Sequence, residues 1–222
     1  EFKIDINKYM KANGGIVFPN PNAPTGIFMP VSELEKLAEY NLNQAVAIVD
    51  EAYIAFGGES AVRLIEKYPN LLIVRTMSKS HSMAGLRVGY CLGNQSLIEG
   101  LNRIKNSFNS YVVDRCAMAA AAAGLADETY YAGIARKIMG TRERVGESLI
   151  RMGFKVLPSA ANFIFASPPG GDARGLYEFL RLNGVLVRYF EGERVNKFIR
   201  VTIGTDEQMD EFLRITELFI KN

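Results

Sequence analysis

Residues 45–51, Ala45-Val46-Ala47-Ile48-Val49-Asp50-Glu51, and residues 71–79, Leu71-Leu72-Ile73-Val74-Arg75-Thr76-Met77-Ser78-Lys79, share one pattern: an unbroken apolar run closed by polar side chains. A strand with one face in water alternates apolar with polar. Continuous runs therefore predict strands covered on both faces, as in a mainly parallel, doubly wound α/β sheet. Ile16-Val17-Phe18 is a third run, stopped by Pro19-Asn20-Pro21-Asn22-Ala23-Pro24-Thr25-Gly26, whose prolines exclude regular structure and predict a rigid loop. Residues 88–92, framed by Gly85, Gly89 and Gly93, form a fourth. Residues 31–40 carry Leu34, Leu37 and Ala38 at helical spacing, with Ser32 as the start signal. Ligands of such a sheet sit beyond the carboxyl ends of its strands, and the polar residues that close these runs collect on that rim.

From residue 95 the pattern turns helical, over 97–105, the alanine-rich 115–125 and a long amphipathic stretch at 128–152 that Gly153 ends. Apolar runs at 154–157, 162–166, 185–188 and 198–203 then alternate with helices predicted over 173–183 and 206–221. This change of texture divides the chain into a larger α/β part, residues 1–139, and a smaller α+β domain, residues 140–222. The alanine run predicts close helix packing rather than a functional tract.

The 222 residues are 48% apolar and 23% charged, a composition that suits a globular chain with a sizeable core. The longest apolar run, residues 116–126, is well short of the ~20 residues a membrane helix needs. A net charge of +2 supplies no field for nucleic acid or an anionic membrane, so small-molecule partners are expected. The first residues carry no signal-peptide pattern and there are two cysteines, Cys91 and Cys116, read as small buried hydrophobes, so the cytoplasm is expected. His81, the single histidine, excludes multi-histidine metal centres, and with no CxxC pair no metal site is expected. Next to Lys79 it reads as structural.

Lys79 follows a buried strand and is a candidate for Schiff-base chemistry. Alone, it reads rather as a solvated lysine. Its neighbours in sequence change that. Asp50 ends the preceding strand, Tyr53 follows three residues later, and Arg87 lies eight residues beyond Lys79. Pyridoxal phosphate needs these residue types: a carboxylate for the pyridine nitrogen, a phenol for the ring hydroxyl, an amine for the aldehyde and a guanidinium for the phosphate.

Four segments, Asn22-Ala23-Pro24-Thr25-Gly26, Asp50-Glu51-Ala52-Tyr53, Thr76-Met77-Ser78-Lys79 and Gly85-Leu86-Arg87-Val88-Gly89-Tyr90, resemble in order and spacing the fold-type I aminotransferases that use pyridoxal phosphate. Within that family, Ala161-Asn162-Phe163, residues 184–188 and residues 199–205 look most like histidinol-phosphate aminotransferases. The resemblance implies a homodimeric enzyme of histidine biosynthesis that exchanges an amino group between glutamate and a phosphorylated amino alcohol. It implies that Lys79 carries the cofactor and shuttles the proton, Asp50 pairs with the pyridinium, and Tyr53 and Asn22 meet the ring oxygen. Thr76, Ser78 and Arg87 would hold the cofactor phosphate. On the substrate side, Arg200 would grip the acidic group, Arg188 the phosphate, and Asn162 would either touch the substrate side of the ring or tie down a turn. Threonine-phosphate decarboxylases and aromatic aminotransferases share much of this signature, and a non-catalytic fragment is the reading from another class. Ala23 stands where most relatives have the asparagine that meets the ring oxygen. Relatives also carry an N-terminal glycine-rich turn that has no counterpart before Gly15, so the chain is expected to be the C-terminal two-thirds of an enzyme.

Overall fold

The computed structural model describes residues 2–221. Its first sheet has the order β1-β2-β3-β4, made of β1 (Ile16–Pro19), β2 (Ala47–Asp50), β3 (Leu71–Thr76) and β4 (Gly89–Gly93). The first three strands are parallel, with Pro19 opposite Asp50 and Asp50 opposite Val74, so the polar residues that close the runs do share one rim. β4 runs antiparallel, placing Gly89 against Thr76. Helix α1 (Val31–Tyr40) crosses from β1 to β2 and buries Val31, Leu34 and Ala38 against Ala47, Val49, Leu71 and Ile73. Pro30, not Ser32, occupies its N-cap, without a side-chain hydrogen bond. Proline suits a helix start because its missing N–H has no partner to lose there.

The four-residue helix α2 (Met77–Ser80) follows β3 directly, and α3 (Gln95–Phe108), α4 (Arg115–Ala126) and α5 (Glu128–Arg151) follow β4. The side chains of Asp114 and Asp127 accept backbone N–H groups at the starts of α4 and α5, which explains why the chain can break and restart a helix there. Small residues Ala117, Ala121 and Gly124 are the buried positions of α4, as the alanine run predicts. α5 runs unbroken through residues 139 and 140 into the second unit. Gly153, in the left-handed region at φ 86°, ends the turn that follows it.

The second sheet, order β5-β6-β8-β7, is antiparallel throughout and comprises β5 (Lys155–Val156), β6 (Phe163–Ser167), β7 (Arg188–Tyr189) and β8 (Ile199–Thr202). Alternation decides its two faces. Ile164, Ala166, Ile199 and Val201 enter a core built with α5, α6 (Ala173–Leu182) and α7 (Asp206–Lys221). Phe163, Phe165, Arg188 and Arg200 therefore share the opposite face. The two sheets thus pack on different hydrophobic clusters.

Three expectations are corrected. The strands are not all covered on both faces: Val17 is 71% exposed, and β4 has no residue buried among those described. The apolar run 185–188 is not a strand as a whole; pairing begins only at Arg188, after a turn in which Gly184 has φ 80° and Leu186 points to solvent. Both cysteines are exposed rather than buried.

Candidate active site

The rim of the first sheet faces the arginine-bearing side of the second. Asp50 is the last residue of β2, and its Oδ1 accepts the Ala52 N–H at 2.9 Å, which turns the chain so that Tyr53 follows on the same rim. Thr76 ends β3 and caps α2: its Oγ1 accepts the Ser78 N–H at 3.1 Å and donates to the Ser78 Oγ at 2.9 Å. Lys79 sits in that single turn with its Nζ 5.8 Å from the centre of the Tyr53 ring, and the amine has no hydrogen bond among the described residues. Arg87 adopts the left-handed conformation, φ 54°, just before β4, and donates from Nη1 to the Ala84 carbonyl at 2.9 Å. Asn22 lies in the loop after β1, where its Oδ1 accepts the Thr25 hydroxyl at 2.8 Å.

Aromatic rings carry the contact across to the second sheet. Tyr53 meets Phe163 edge to face at 5.1 Å, the Arg200 guanidinium lies 5.1 Å from the Phe163 ring and 5.7 Å from Phe190, and Arg188 lies 5.6 Å from Phe190. Arg188 and Arg200 stand directly opposite each other on β7 and β8. Neither has a carboxylate partner among the described residues, and the Arg200 Nε is buried with no hydrogen-bond acceptor. Like charges placed opposite each other are destabilising, and a buried unpaired donor costs ~1–3 kcal/mol, so the pair is held at a cost in free energy. Asn162 precedes β6; its carbonyl accepts the Ile203 N–H at 2.9 Å, while its side chain has no hydrogen bond among the described residues.

Two further contacts hold the halves together. The Ala160 N–H donates to the Gly26 carbonyl at 2.8 Å, and Gly26 has φ 77° in a place where a side chain would overlap Ser159. The Arg142 Nη1, on α5, donates to the carbonyls of Phe56 and Ala161, each at 2.7 Å. Burial pushes the Arg142 pKa down, against the opposing charge of Glu143. Sequence alone gave no role to Arg142, to Phe163 within its motif, or to Phe190. Their signal, an arginine inside an amphipathic helix and phenylalanines in apolar strands, is that of ordinary surface and core.

His81 lies to one side. Its Nδ1 is 2.8 Å from the Ser80 Oγ and its ring 4.4 Å from that of Tyr131, beside a cavity of about 340 Å³ that also meets Glu51, Arg75 and Tyr90. Of the ten candidate residues that cavity touches Thr76 alone. Burial holds the His81 pKa below its ordinary 6.5. The unfolded chain then binds this proton more readily than the folded one, so stability is expected to fall as pH drops through 6.5 and to level off below the folded value. Melting curves between pH 8 and 5 test this, and His81→Gln should flatten the dependence. An unchanged slope in that variant would assign it to other groups.

With this geometry in place, the comparisons decide the family: aminotransferase class I and II matches residues 1–215. The chain belongs to the class I and II aminotransferases. A histidinol-phosphate aminotransferase of Clostridium acetobutylicum is 50% identical over 213 residues, 96% of this chain and 60% of the relative. One from Pseudomonas putida is 52% identical over 207 residues, covering 93% of this chain and 59% of the relative. Among solved structures, histidinol-phosphate aminotransferase from Sinorhizobium meliloti in complex with pyridoxal-5'-phosphate superposes with a TM-score of 0.85 at 26% identity, over 97% of this chain and 59% of that one. This aminotransferase chain thus has the fold-type I architecture and spans about 60% of the length of the curated relatives it matches.

Proposed function

We propose that this chain carries the lysine and arginine machinery of a pyridoxal-phosphate-dependent transamination between glutamate and histidinol phosphate. The observation that carries the reading is the unbroken line of contacts from Lys79 through Tyr53 and Phe163 to Arg200, Phe190 and Arg188, ending on two facing arginines without a counter-ion among the described residues. The residues fit the cofactor. One Asp50 oxygen is engaged by Ala52, leaving Oδ2 for a pyridine nitrogen, and the free Lys79 amine, the Thr76 and Ser78 hydroxyls and the remaining Arg87 N–H groups match an aldehyde and a phosphate. Asn22, its Oδ1 already committed to Thr25, would reach the ring oxygen through its amide nitrogen.

When bound, pyridoxal phosphate supplies an aldehyde for the amino group and a conjugated ring that takes up the electron pair released at the substrate's α-carbon. Asp50 keeps positive charge on the ring nitrogen by presenting its carboxylate. Lys79 Nζ takes the proton from the substrate carbon and returns it, a transfer that a positioned side chain speeds by typically ~10²–10⁴-fold. Tyr53 orients by its hydroxyl and its ring. Arg200 and Arg188 bind the substrate anions, and the Asn162 amide, uncommitted among the described residues, is assigned to the substrate side of the ring. The same reading includes a homodimer in the cytoplasm. The exposed apolar residues Ile104, Phe108 and Tyr111 support the first, and the unpaired cysteines the second. Light scattering and cell fractionation test them.

Comparing the two arginines tests the assignment. Glutamate presents an α-carboxylate, whereas histidinol phosphate carries its charge on a phosphate. Arg200→Ala should impair both half-reactions, because Arg200 lies nearer Lys79 along the line of contacts. Arg188→Ala should weaken the phosphorylated substrate and leave glutamate within a few-fold of the parent. Losing one charge-assisted hydrogen bond costs ~1.5–3 kcal/mol, or roughly 10- to 150-fold in kcat/KM. Single-turnover kinetics of each half-reaction, in the natural protein carrying this sequence, measures this. Equal losses from Arg188→Ala would sink the phosphate assignment. Carbon dioxide release from a phosphorylated amino acid, without 2-oxoglutarate from glutamate, would replace transamination by decarboxylation.

A further inference from the structure

The two facing arginines raise a question that their proposed ligand does not answer: what holds them together before any anion arrives? Arg188 and Arg200 are cross-strand neighbours of like charge, and no carboxylate on any described element pairs with either. Left alone, two such side chains splay into solvent. The group that both guanidiniums meet is the Phe190 ring, at 5.6 Å from Arg188 and 5.7 Å from Arg200. The ring is fixed in turn by an edge-to-face contact with Phe165 at 6.3 Å, and Phe165 stacks on Phe198 at 4.8 Å.

We propose that Phe190 is the positioning residue that sets Arg188 and Arg200 as a paired receptor for a phosphate dianion, an inference that rests on the reading of these arginines as the substrate's anion site. The face of an aromatic ring attracts a cation without neutralising it. An aspartate or glutamate at position 190 would also gather the two arginines, but it would occupy the donors that the substrate needs. A neutral aliphatic side chain would fill the volume and leave the charges to repel. An aromatic residue does the one thing required: it orients both cations and leaves their N–H groups uncommitted. The consequence is specificity. A carboxylate can be held by Arg200 alone, which Phe163 also braces at 5.1 Å, whereas a phosphate dianion gains from both arginines and so depends on Phe190.

The test titrates inorganic phosphate, and separately acetate, into the natural protein already saturated with pyridoxal phosphate, so that the cofactor's own phosphate site is filled, with calorimetry as the readout. Phe190→Leu should raise the phosphate Kd about tenfold, the summed size of two cation–π contacts of which the Arg188 one is exposed, and leave acetate within about twofold. Phe190→Tyr should rescue phosphate binding. In turnover, Phe190→Leu should raise KM for the phosphorylated substrate with kcat little changed. If Phe190→Leu binds phosphate like the parent while Arg188→Ala and Arg200→Ala lose it, the inference fails and the anion site stands. Loss of phosphate and acetate together, with a lowered melting temperature and no rescue by tyrosine, would make Phe190 a packing residue and also overturn it. If neither arginine variant affects phosphate, the anion site and this inference fall together.

Discussion

A Lys79→Ala variant is expected to lose turnover by at least ~10²–10⁴-fold, the contribution of a positioned proton-transfer group, while keeping its fold. The two halves of that expectation come from the same structural fact. The Lys79 side chain is exposed, lies in a single turn of helix and makes no hydrogen bond among the described residues; its one described contact is the Tyr53 ring at 5.8 Å. Substitutions at such positions usually change stability by no more than ~0.5 kcal/mol, so chemistry is what the residue has to lose. Borohydride reduction followed by mass spectrometry gives a readout independent of turnover: the parent should retain the pyridoxyl mass on the peptide containing Lys79, and the variant should not. A variant that still transaminates, or that retains the label elsewhere, would remove Lys79 from the mechanism.

The rim bearing Lys79 was legible from sequence because two kinds of signal coincide there. The unbroken runs ending at Val49 and Val74 mark buried parallel strands, and the polar residues after them are placed by chain direction alone. Helices with strong periodicity were equally plain; α1 and α7 begin and end where their apolar spacing does. Pairing direction was not visible. β4 reads like its neighbours, but only the tight turn through Ala84–Leu86, with Arg87 at positive φ, brings it back antiparallel.

The second sheet was legible in outline and opaque in detail. Phe163-Ile164-Phe165-Ala166 is apolar at every position, so nothing in the sequence says which face meets the helices. The structure gives Ile164 and Ala166 to the core and turns Phe163 and Phe165 toward the site. Phe190 escaped for a related reason: Arg188 drew attention by resemblance, but the ring beside it becomes meaningful only when β8 delivers Arg200 to the other side. Chemistry carried by charged residues shows in one dimension. Positioning by apolar ones appears only after folding.

Arg75→Leu is expected to destabilise the protein by about 3–5 kcal/mol, the cost of leaving one member of a buried ion pair without the other. Glu51, next to Asp50, has a side chain with 0% exposure, and Arg75, next to Thr76, is 26% exposed. The Glu51 carboxylate accepts from Arg75 Nε at 3.0 Å and Nη2 at 2.9 Å, from the Ser60 hydroxyl at 2.8 Å and from the Ala61 N–H at 2.7 Å. Burial opposes the charge on Arg75, and the hydrogen bonds and charges of Glu51 and then Tyr90 together more than reverse that, leaving its pKa raised. Leucine in place of arginine strands the carboxylate among neutral donors. By contrast Arg151 and Glu147, both exposed and 3.9 Å apart, should tolerate the same change at little cost. For a chain of this size the deficit corresponds to roughly 6–20 °C in Tm, and urea titration gives the free energy directly. The effect should also reach the site, because beyond the last pair of the β2–β3 ladder, Asp50 and Val74, the two strand ends are tied by the Glu51 N–H to the Val74 carbonyl at 2.8 Å and, between side chains, by this ion pair. Cofactor affinity should therefore fall in Arg75→Leu even at temperatures where the variant is folded. Adding Glu51→Leu should restore much of the stability, since replacing both partners of a buried pair by apolar groups is often neutral, yet the pull between Asp50 and Thr76 would still be gone. Recovery of stability without recovery of cofactor affinity is the expected result of the double variant. Full recovery of both would show that the pair serves packing alone, and a loss in Arg75→Leu no larger than at Arg151 would show that Glu51 does not need it.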